Sequence, residues 1–250
     1  MNLKEAKADR PKRILLLGFS GSGKTRFIGT MPSPYIADFD DNLNSLIGHD
    51  VEFDPFHMNM DDSRKAYADF KKVLSEWRKE PKRGTFCVDS LSRYADAILA
   101  WALKENGKNV GGQMTQADWG KAIAEVKLSL GQITTLPCHV VVTAHYQAEK
   151  DEMLGSLRYE PLIFGKSLPG LLPTYFDEVW RMAVIPPKDG KGTAEHKVQV
   201  IPDQKYDIIK SGMNARKCFQ QYEEPDFGKM LGKYQTTLNP VEWDNGKAKD

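Results

Sequence analysis

An apolar run, Ile14-Leu15-Leu16-Leu17, passes directly into Gly18-Phe19-Ser20-Gly21-Ser22-Gly23-Lys24-Thr25. No other stretch limits the fold so tightly. A glycine, four residues and then Gly-Lys-Thr, set between a buried strand and a helix, is the phosphate-loop pattern. Gly18, Gly21 and Gly23 let the backbone turn sharply and bring N–H groups against phosphate oxygens. The positive end of the following helix adds to that field. Lys24 is expected to face solvent in the loop and reach the β- and γ-phosphates, while Thr25 offers a hydroxyl to Mg²⁺. Ser20, Ser22 and Arg26 complete the expected phosphate-binding set. The bland alternative is a glycine-rich turn that happens to match. The strand signature before it and the complete Gly-Lys-Thr end favour a nucleoside triphosphate, with ATP and Mg²⁺ as the ligands expected.

At 250 residues the chain is long enough for one large α/β domain or two small ones. Its net charge of +1 excludes overall basicity, so any nucleic-acid site must be a local patch. The three cysteines are an odd number, and Cys87 and Cys138 lie inside apolar runs. Reduced structural thiols and a cytoplasmic setting fit better than a disulfide framework. No apolar run approaches the ~18 residues of a membrane span, and the charged N-terminus lacks a signal-peptide core.

The pattern along the chain predicts a charged arm over residues 1–12, one core over 13–235 and a polar tail over 236–250. The helix from Lys24 should end near Met31, because Pro32 and Pro34 cannot continue it. Tyr35 to Asp38 reads as a strand, the segment around Val51 to Phe53 as an edge strand, and Asp62 to Glu80 as a helix burying Tyr67, Phe70, Leu74 and Trp77. Thr85 to Asp89 is the next strand. Ser90 or Ser92 can cap the following helix, which buries Leu91, Tyr94, Ile98 and Trp101 and stops at Asn106-Gly107. Residues 107–115 read as a flexible loop. A further helix places Trp119, Ile123, Val126, Leu130 and Ile133 on one buried face, and Cys138 to Ala144 is a strand apolar on both faces. Residues 147–173 read as a long functional or mobile loop. Two antiparallel strands over 178–184 and 196–201 follow. Strand–helix alternation implies right-handed βαβ units, hence an α/β fold with a mostly parallel sheet, helices on both faces and a trailing hairpin.

Asp89 ends an apolar strand, where a carboxylate can stand beside the phosphate loop and hold Mg²⁺ through a water. Its alternative is a helix-capping aspartate. To orient or deprotonate water, Asp40 is the candidate, with Asp38 and Asp41 as competitors and surface-turn acids as the alternative. His145 and Gln147, just past a strand end, are positioned to sense the γ-phosphate, although a lone histidine is often structural.

Taken together, Gly18 to Thr25, Tyr35-Ile36-Ala37-Asp38-Phe39-Asp40, Phe86-Cys87-Val88-Asp89-Ser90, Val141-Val142-Thr143-Ala144-His145, and Phe164-Gly165-Lys166 leading to Phe176-Asp177-Glu178-Val179 resemble the RecA-like recombinase core over residues 12 to 216. Within it, the chain looks most like the small phage ATPases of the single-strand-annealing type (the Sak-four group). The resemblance implies a RecA-like P-loop NTPase that couples ATP hydrolysis to single-stranded DNA in a ring or filament. A single-strand-binding protein or an exonuclease is the further partner it implies. Asp40 falls where that family has its catalytic glutamate, and His145 where it commonly has glutamine. The loop at 107–115 and the segment from Gln147 to Lys166 fall where DNA-contacting loops occur, and Lys205, Lys210 and Arg216 lie where a cation can act on a neighbour's γ-phosphate. By their own chemistry, Lys104, Lys108, Lys150, Arg158 and Lys166 can pair with DNA phosphates and Tyr159 can stack on a base, with Asp151, Glu152 and Glu160 diluting the charge. A small-molecule or nucleotide kinase is the alternative; it predicts an arginine-rich lid, but Arg158 is the sole arginine between residues 107 and 160. A nucleotide-gated scaffold that barely hydrolyses is a third possibility.

Overall fold

The computed structural model describes residues 10–56, 63–108, 111–150, 157–187 and 190–238. The first half alternates strand and helix: β1 (Arg13–Leu17), α1 (Lys24–Ile28), β2 (Pro34–Asp38), β3 (Glu52–Pro55), α2 (Ser63–Lys79), β4 (Thr85–Asp89) and α3 (Leu91–Glu105). Next come α4 (Gln116–Thr134), β5 (His139–Ala144), the pair β6 (Tyr146–Lys150) and β7 (Leu157–Pro161), and α5 (Leu168–Leu171). The chain closes with β8 (Glu178–Ile185), β9 (Glu195–Gln199), β10 (Lys210–Ser211), β11 (Tyr222–Glu223) and α6 (Phe227–Thr236).

The main sheet runs β11-β9-β8-β1-β5-β4-β2-β3, with β10 beside β8. From β8 across to β3 every pairing is parallel; β9, β10 and β11 run antiparallel to their neighbours. The mostly parallel sheet with a trailing β8–β9 hairpin is the arrangement that the alternation predicts. β1 and β5 are buried on both faces, which is why their sequences read as continuous Leu and Val runs. Their side chains separate two cores. Leu15, Leu17, Val140 and Val142 face α2, α3 and α4, where Phe70, Trp77, Tyr94 and Leu130 pack. Ile14, Leu16 and Val141 face α1 and α6, where Phe27, Trp180 and Phe227 pack.

Four features depart from the sequence reading. α1 ends at Ile28 rather than near Met31, whereas the edge strand expected around Val51 to Phe53 is present as Glu52–Pro55. Trp119 is 38% exposed and rests on Phe164, ring centroids 5.8 Å apart, because the buried face of α4 is carried by Ala122, Val126, Leu130 and Ile133. Lys12, assigned to the arm, is nearly buried, and its ammonium lies 4.5 Å from the Tyr234 ring centre. The segment at 147–173 is not a featureless loop. β6 and β7 pair antiparallel as a second, two-stranded sheet, and α5 follows. The arm over 1–9 and the tail beyond 238 lie outside the described residues.

Candidate active site

Because β5 and β8 flank β1, the phosphate loop opens at the carboxyl edge of the parallel sheet. The Gly18 N–H donates to the Ala144 carbonyl at 3.2 Å, tying the loop's entry to the end of β5. A Cβ on Gly18 would stand 2.4 Å from the Ser22 Oγ and 3.2 Å from the Met182 carbonyl oxygen, so a larger residue would force Ser22 to shift. Gly23 precedes α1 at φ +95°, a left-handed conformation costly for other residues, and His196 of β9 lies against it. The Nδ1 of His196 meets the Ser22 carbonyl at 2.8 Å. The Ser22 hydroxyl is buried against Gly18 without a hydrogen-bond partner among the described residues.

Lys24 corrects an expectation. It does not face solvent: it is 6% exposed, its Nζ donating to the carbonyls of Gly18 (3.0 Å) and Phe19 (3.1 Å). Burial lowers its pKa, with the Asp89 and Asp40 carboxylates acting in the other direction. The loop encloses a cavity of about 260 Å³ lined by Ser20, Gly21, Gly23, Lys24, Thr25, Arg26, Asp40, Asp89, His145 and His196. It therefore gathers most of the expected phosphate-binding residues, while Ser22 and Gly18 sit behind it.

Thr25 is the second residue of α1 and Asp89 ends β4, and the Thr25 hydroxyl donates to Asp89 Oδ2 at 2.7 Å. Thr143, on the intervening β5, donates to the other carboxylate oxygen. Burial raises the Asp89 pKa; hydrogen bonds from Thr143 and Thr25 and the Lys24 charge act against that rise. A hydroxyl and a carboxylate side by side are hard oxygen donors suited to Mg²⁺, which takes one or two protein ligands and completes its shell with phosphates and water. Among the described residues no group of three or more His, Cys, Asp or Glu side chains is gathered as a metal cage.

The three neighbouring acids separate cleanly. Asp38 is 2% exposed and accepts from the Asp40 and Asp41 backbone N–H groups at 3.1 and 3.0 Å. Burial pushes its carboxyl up to about 6. Asp38 and Asp41 line a different cavity with Leu43, Leu46 and Phe53. Asp40 alone of the three lines the phosphate cavity, its Oδ1 accepting from Ser90 Oγ at 2.7 Å and its Oδ2 lying 3.0 Å from His145 Nε2. Burial raises the Asp40 pKa, but the hydrogen bonds from His145 and Ser90 outweigh it and leave the carboxyl below its ordinary value. His145 also places Nδ1 3.3 Å from Lys24 Nζ. An ammonium only donates, so Nδ1 accepts and Nε2–H donates to Asp40, which fixes the tautomer. Ser92 holds the backbone below: its hydroxyl accepts from the His145 N–H at 3.1 Å and donates to the Leu162 carbonyl at 2.8 Å.

The other sequence candidates lie elsewhere. Gln147 is on β6 and donates across the hairpin to Glu160, so it is not a companion of His145 at the cavity. Lys108 ion-pairs with buried Asp118, the N-terminal capping acid of α4, rather than reaching into a loop. Lys150, Arg158 and Lys166 are exposed on or near the hairpin, Arg158 lying 3.6 Å from Asp207. Tyr159 does not offer a bare ring face: it stacks on Tyr206 at 5.0 Å and meets Phe19 edge-on at 5.5 Å. Lys205, Lys210 and Arg216 line none of these cavities; Arg216 donates to the Thr237 carbonyl at 3.0 Å. Sequence reasoning missed His196, which has no local signature because strand pairing brings it to the loop across 174 residues. Ser90 and Ser92 were legible only as caps. Ser90 does cap α3, but its hydroxyl also reaches Asp40.

A family model described as an AAA domain matches residues 10–212. No curated protein matches the chain. Among solved structures, a prototypical ATPase from the type III secretion system of pathogenic bacteria aligns at 14% identity and a TM-score of 0.37, over 69% of this chain and 52% of that one. The chain thus spans about half the length of that ATPase.

Proposed function

The chain belongs to the AAA-domain family of P-loop ATPases, and from that premise we propose that it couples ATP hydrolysis to the binding and annealing of single-stranded DNA. The ATP-binding half of this reading rests on the loop, Lys24 and the Thr25–Asp89 pair. Lys24 neutralises the β- and γ-phosphates, and Thr25 and Asp89 hold Mg²⁺, which when bound draws charge from the phosphoryl oxygens. Asp40 accepts a hydrogen bond from the attacking water and orients it. His145, held between Lys24 and Asp40, keeps that carboxylate aimed into the cavity.

The observation carrying the DNA half is the attachment of the β6–β7 hairpin to the γ end of the site. The Leu162 N–H donates to the His145 carbonyl at 2.7 Å, and Phe19 of the phosphate loop packs against Tyr146 and Tyr159. A change at the γ-phosphate therefore has a short mechanical path to Lys150, Arg158 and Lys166. Assembly of copies into a ring or filament, with Lys205, Lys210 or Arg216 offered to a neighbour, belongs to the same proposal, as does cooperation with a single-strand-binding protein or an exonuclease. The test is phosphate release from ATP with and without single-stranded DNA, beside oligonucleotide binding at low salt. Stimulation and ATP-dependent binding are expected; neither appearing at low salt contradicts the DNA reading.

A second cavity at the γ end gives the kinase alternative one specific support, as a place for a phosphoryl acceptor. Incubation with ATP and a panel of nucleosides and nucleotides distinguishes the two. A kinase yields phosphorylated acceptor, whereas the ATPase yields inorganic phosphate alone.

A further inference from the structure

That second cavity, of about 460 Å³, shares Ser20 and His145 with the phosphate cavity and is otherwise lined by Ser92, Arg93, Asp96 and the residues following β7. His145, shared by the two cavities, lies 3.0 Å from Asp40 of the phosphate cavity. Asp40 and Asp89 both line the phosphate cavity, where Lys24 is the buried cation and Arg26 an exposed one. A phosphoryl group leaving ADP spreads negative charge over three equatorial oxygens, and beside Lys24 and the Mg²⁺ that Thr25 and Asp89 would hold, a guanidinium fork is a further group suited to those oxygens. Lys205, Lys210 and Arg216 line neither cavity.

Arg93 is the cation of the second cavity. Its backbone is fixed relative to the reacting groups: Arg93 N–H donates to Ser90 Oγ, the hydroxyl that also bonds Asp40. Its neighbour Ser92 is tied to the His145 backbone. Its guanidinium, by contrast, is loosely held. It lies 3.7 Å from Asp96, and the two side chains are 61% and 52% exposed, so releasing that pair costs little. A planar, permanently charged fork on a rigid helical turn is the group suited to phosphoryl oxygens.

Resting on the ATPase reading, we propose that Arg93 is a catalytic cation acting in cis: it leaves Asp96 and contacts the γ-phosphoryl oxygens from the second cavity. In that step a water oxygen bonds to the γ-phosphorus as the bond to the β–γ bridging oxygen breaks, and the electron pair leaves with ADP. One water proton stays on the phosphate and the other passes by Asp40 to solvent. Arg93 neutralises the equatorial oxygens throughout and then accompanies phosphate into the second cavity.

The experiment compares the unaltered protein with Arg93→Ala, Arg93→Gln and Arg93→Lys, reading kcat, MgATP affinity, and trapping of MgADP by orthovanadate as a transition-state mimic. Circular dichroism confirms that each variant is folded, and glutamine keeps the aliphatic stem should alanine disturb the helix. Arg93→Ala and Arg93→Gln should lower kcat at least ~1000-fold, the lower end of the span for an arginine acting on a γ-phosphate, and lose vanadate trapping while MgATP affinity stays within about threefold. Arg93→Lys should recover part of both. Folded variants that hydrolyse and trap like the unaltered protein overturn the role of Arg93 alone. An unaltered protein that releases no phosphate from ATP removes the ATPase reading, and the proposal with it.

Discussion

Asp38 and Asp40 are two residues apart and carry the same side chain, yet the chain puts them to different uses. Asp38 is spent on the backbone turn, accepting two N–H groups, whereas Asp40 points into the phosphate cavity between Ser90 and His145. Asp40→Asn should therefore keep MgATP affinity and slow hydrolysis at least ~100-fold, the scale of a positioned base. An unchanged kcat would move water activation to another group. The Asp38 carboxyl titrates near 6 in the folded chain against an ordinary 3.8. Its protonation favours the fold below about pH 4, and that contribution is lost as pH rises through 6. Asp38→Asn keeps the accepting oxygen without the charge, so it should raise the unfolding free energy at pH 7.5 by about 1 kcal/mol and give no gain at pH 4. Denaturant titrations at the two pH values measure it. The sequence could name three acids but not choose among them, because the choice is made by a turn whose geometry no local residue pattern encodes. Lys24 shows the same limit: its chemistry was legible, its burial was not.

At the scale of elements, the β6–β7 hairpin is the feature that the sequence concealed. Alternation is the signal of a half-buried strand, and here half of the described side chains of β6 and β7 are exposed, with only Tyr146 and Pro161 of them buried. What holds the hairpin is an aromatic run, Phe19, Tyr146, Tyr159 and Tyr206, ending where Arg181 lies 3.7 Å over the Tyr206 ring. Such ring pairs contribute roughly 0.5–1.5 kcal/mol each beyond the area they bury. Phe19→Ala should accordingly loosen the hairpin without unfolding the sheet. Hydrogen exchange should quicken across residues 146–161 and stay unchanged in β1 and β5; equal protection in both proteins would show that the loop and hairpin are not mechanically joined. In the α3–α4 connection, read as a flexible loop over 107–115, residues 109 and 110 lie outside the described residues, and the flanks are tied: Thr115 and Asp118 form a capping box, and Lys108 and Asn106 also bind the Asp118 carboxylate. These partners, Lys108 first, hold that carboxyl well below its ordinary range. Its stabilising contribution is present at neutral pH and lost on acidification, so Asp118→Asn should flatten the acid limb of a stability–pH curve.

For the whole molecule, the strand order does what no single motif can. Inserting β5 between β1 and β4 sets His145 between the lysine of one strand's loop and the acids that follow the others. The parallel strands were legible because burial on both faces leaves unbroken apolar runs; the antiparallel strand β9, between β11 and β8, gave His196 no comparable mark. Net charge of +1 confines DNA binding to a patch. If Lys150, Arg158 and Lys166 are that patch, log affinity for single strands should fall with log salt at a slope of about −2, near 0.7 per phosphate contact. A slope near zero, or one unaltered in Lys150→Ala/Lys166→Ala, would remove the hairpin from the DNA interface. All of this presupposes that the loop after β1 grips a triphosphate. Calorimetric titration of the folded protein with magnesium-ATP, run beside Lys24→Ala, measures that directly. The account predicts saturable binding of one nucleotide per chain that disappears in Lys24→Ala. Absence of binding by the unaltered protein, or undiminished binding by the variant, would contradict it.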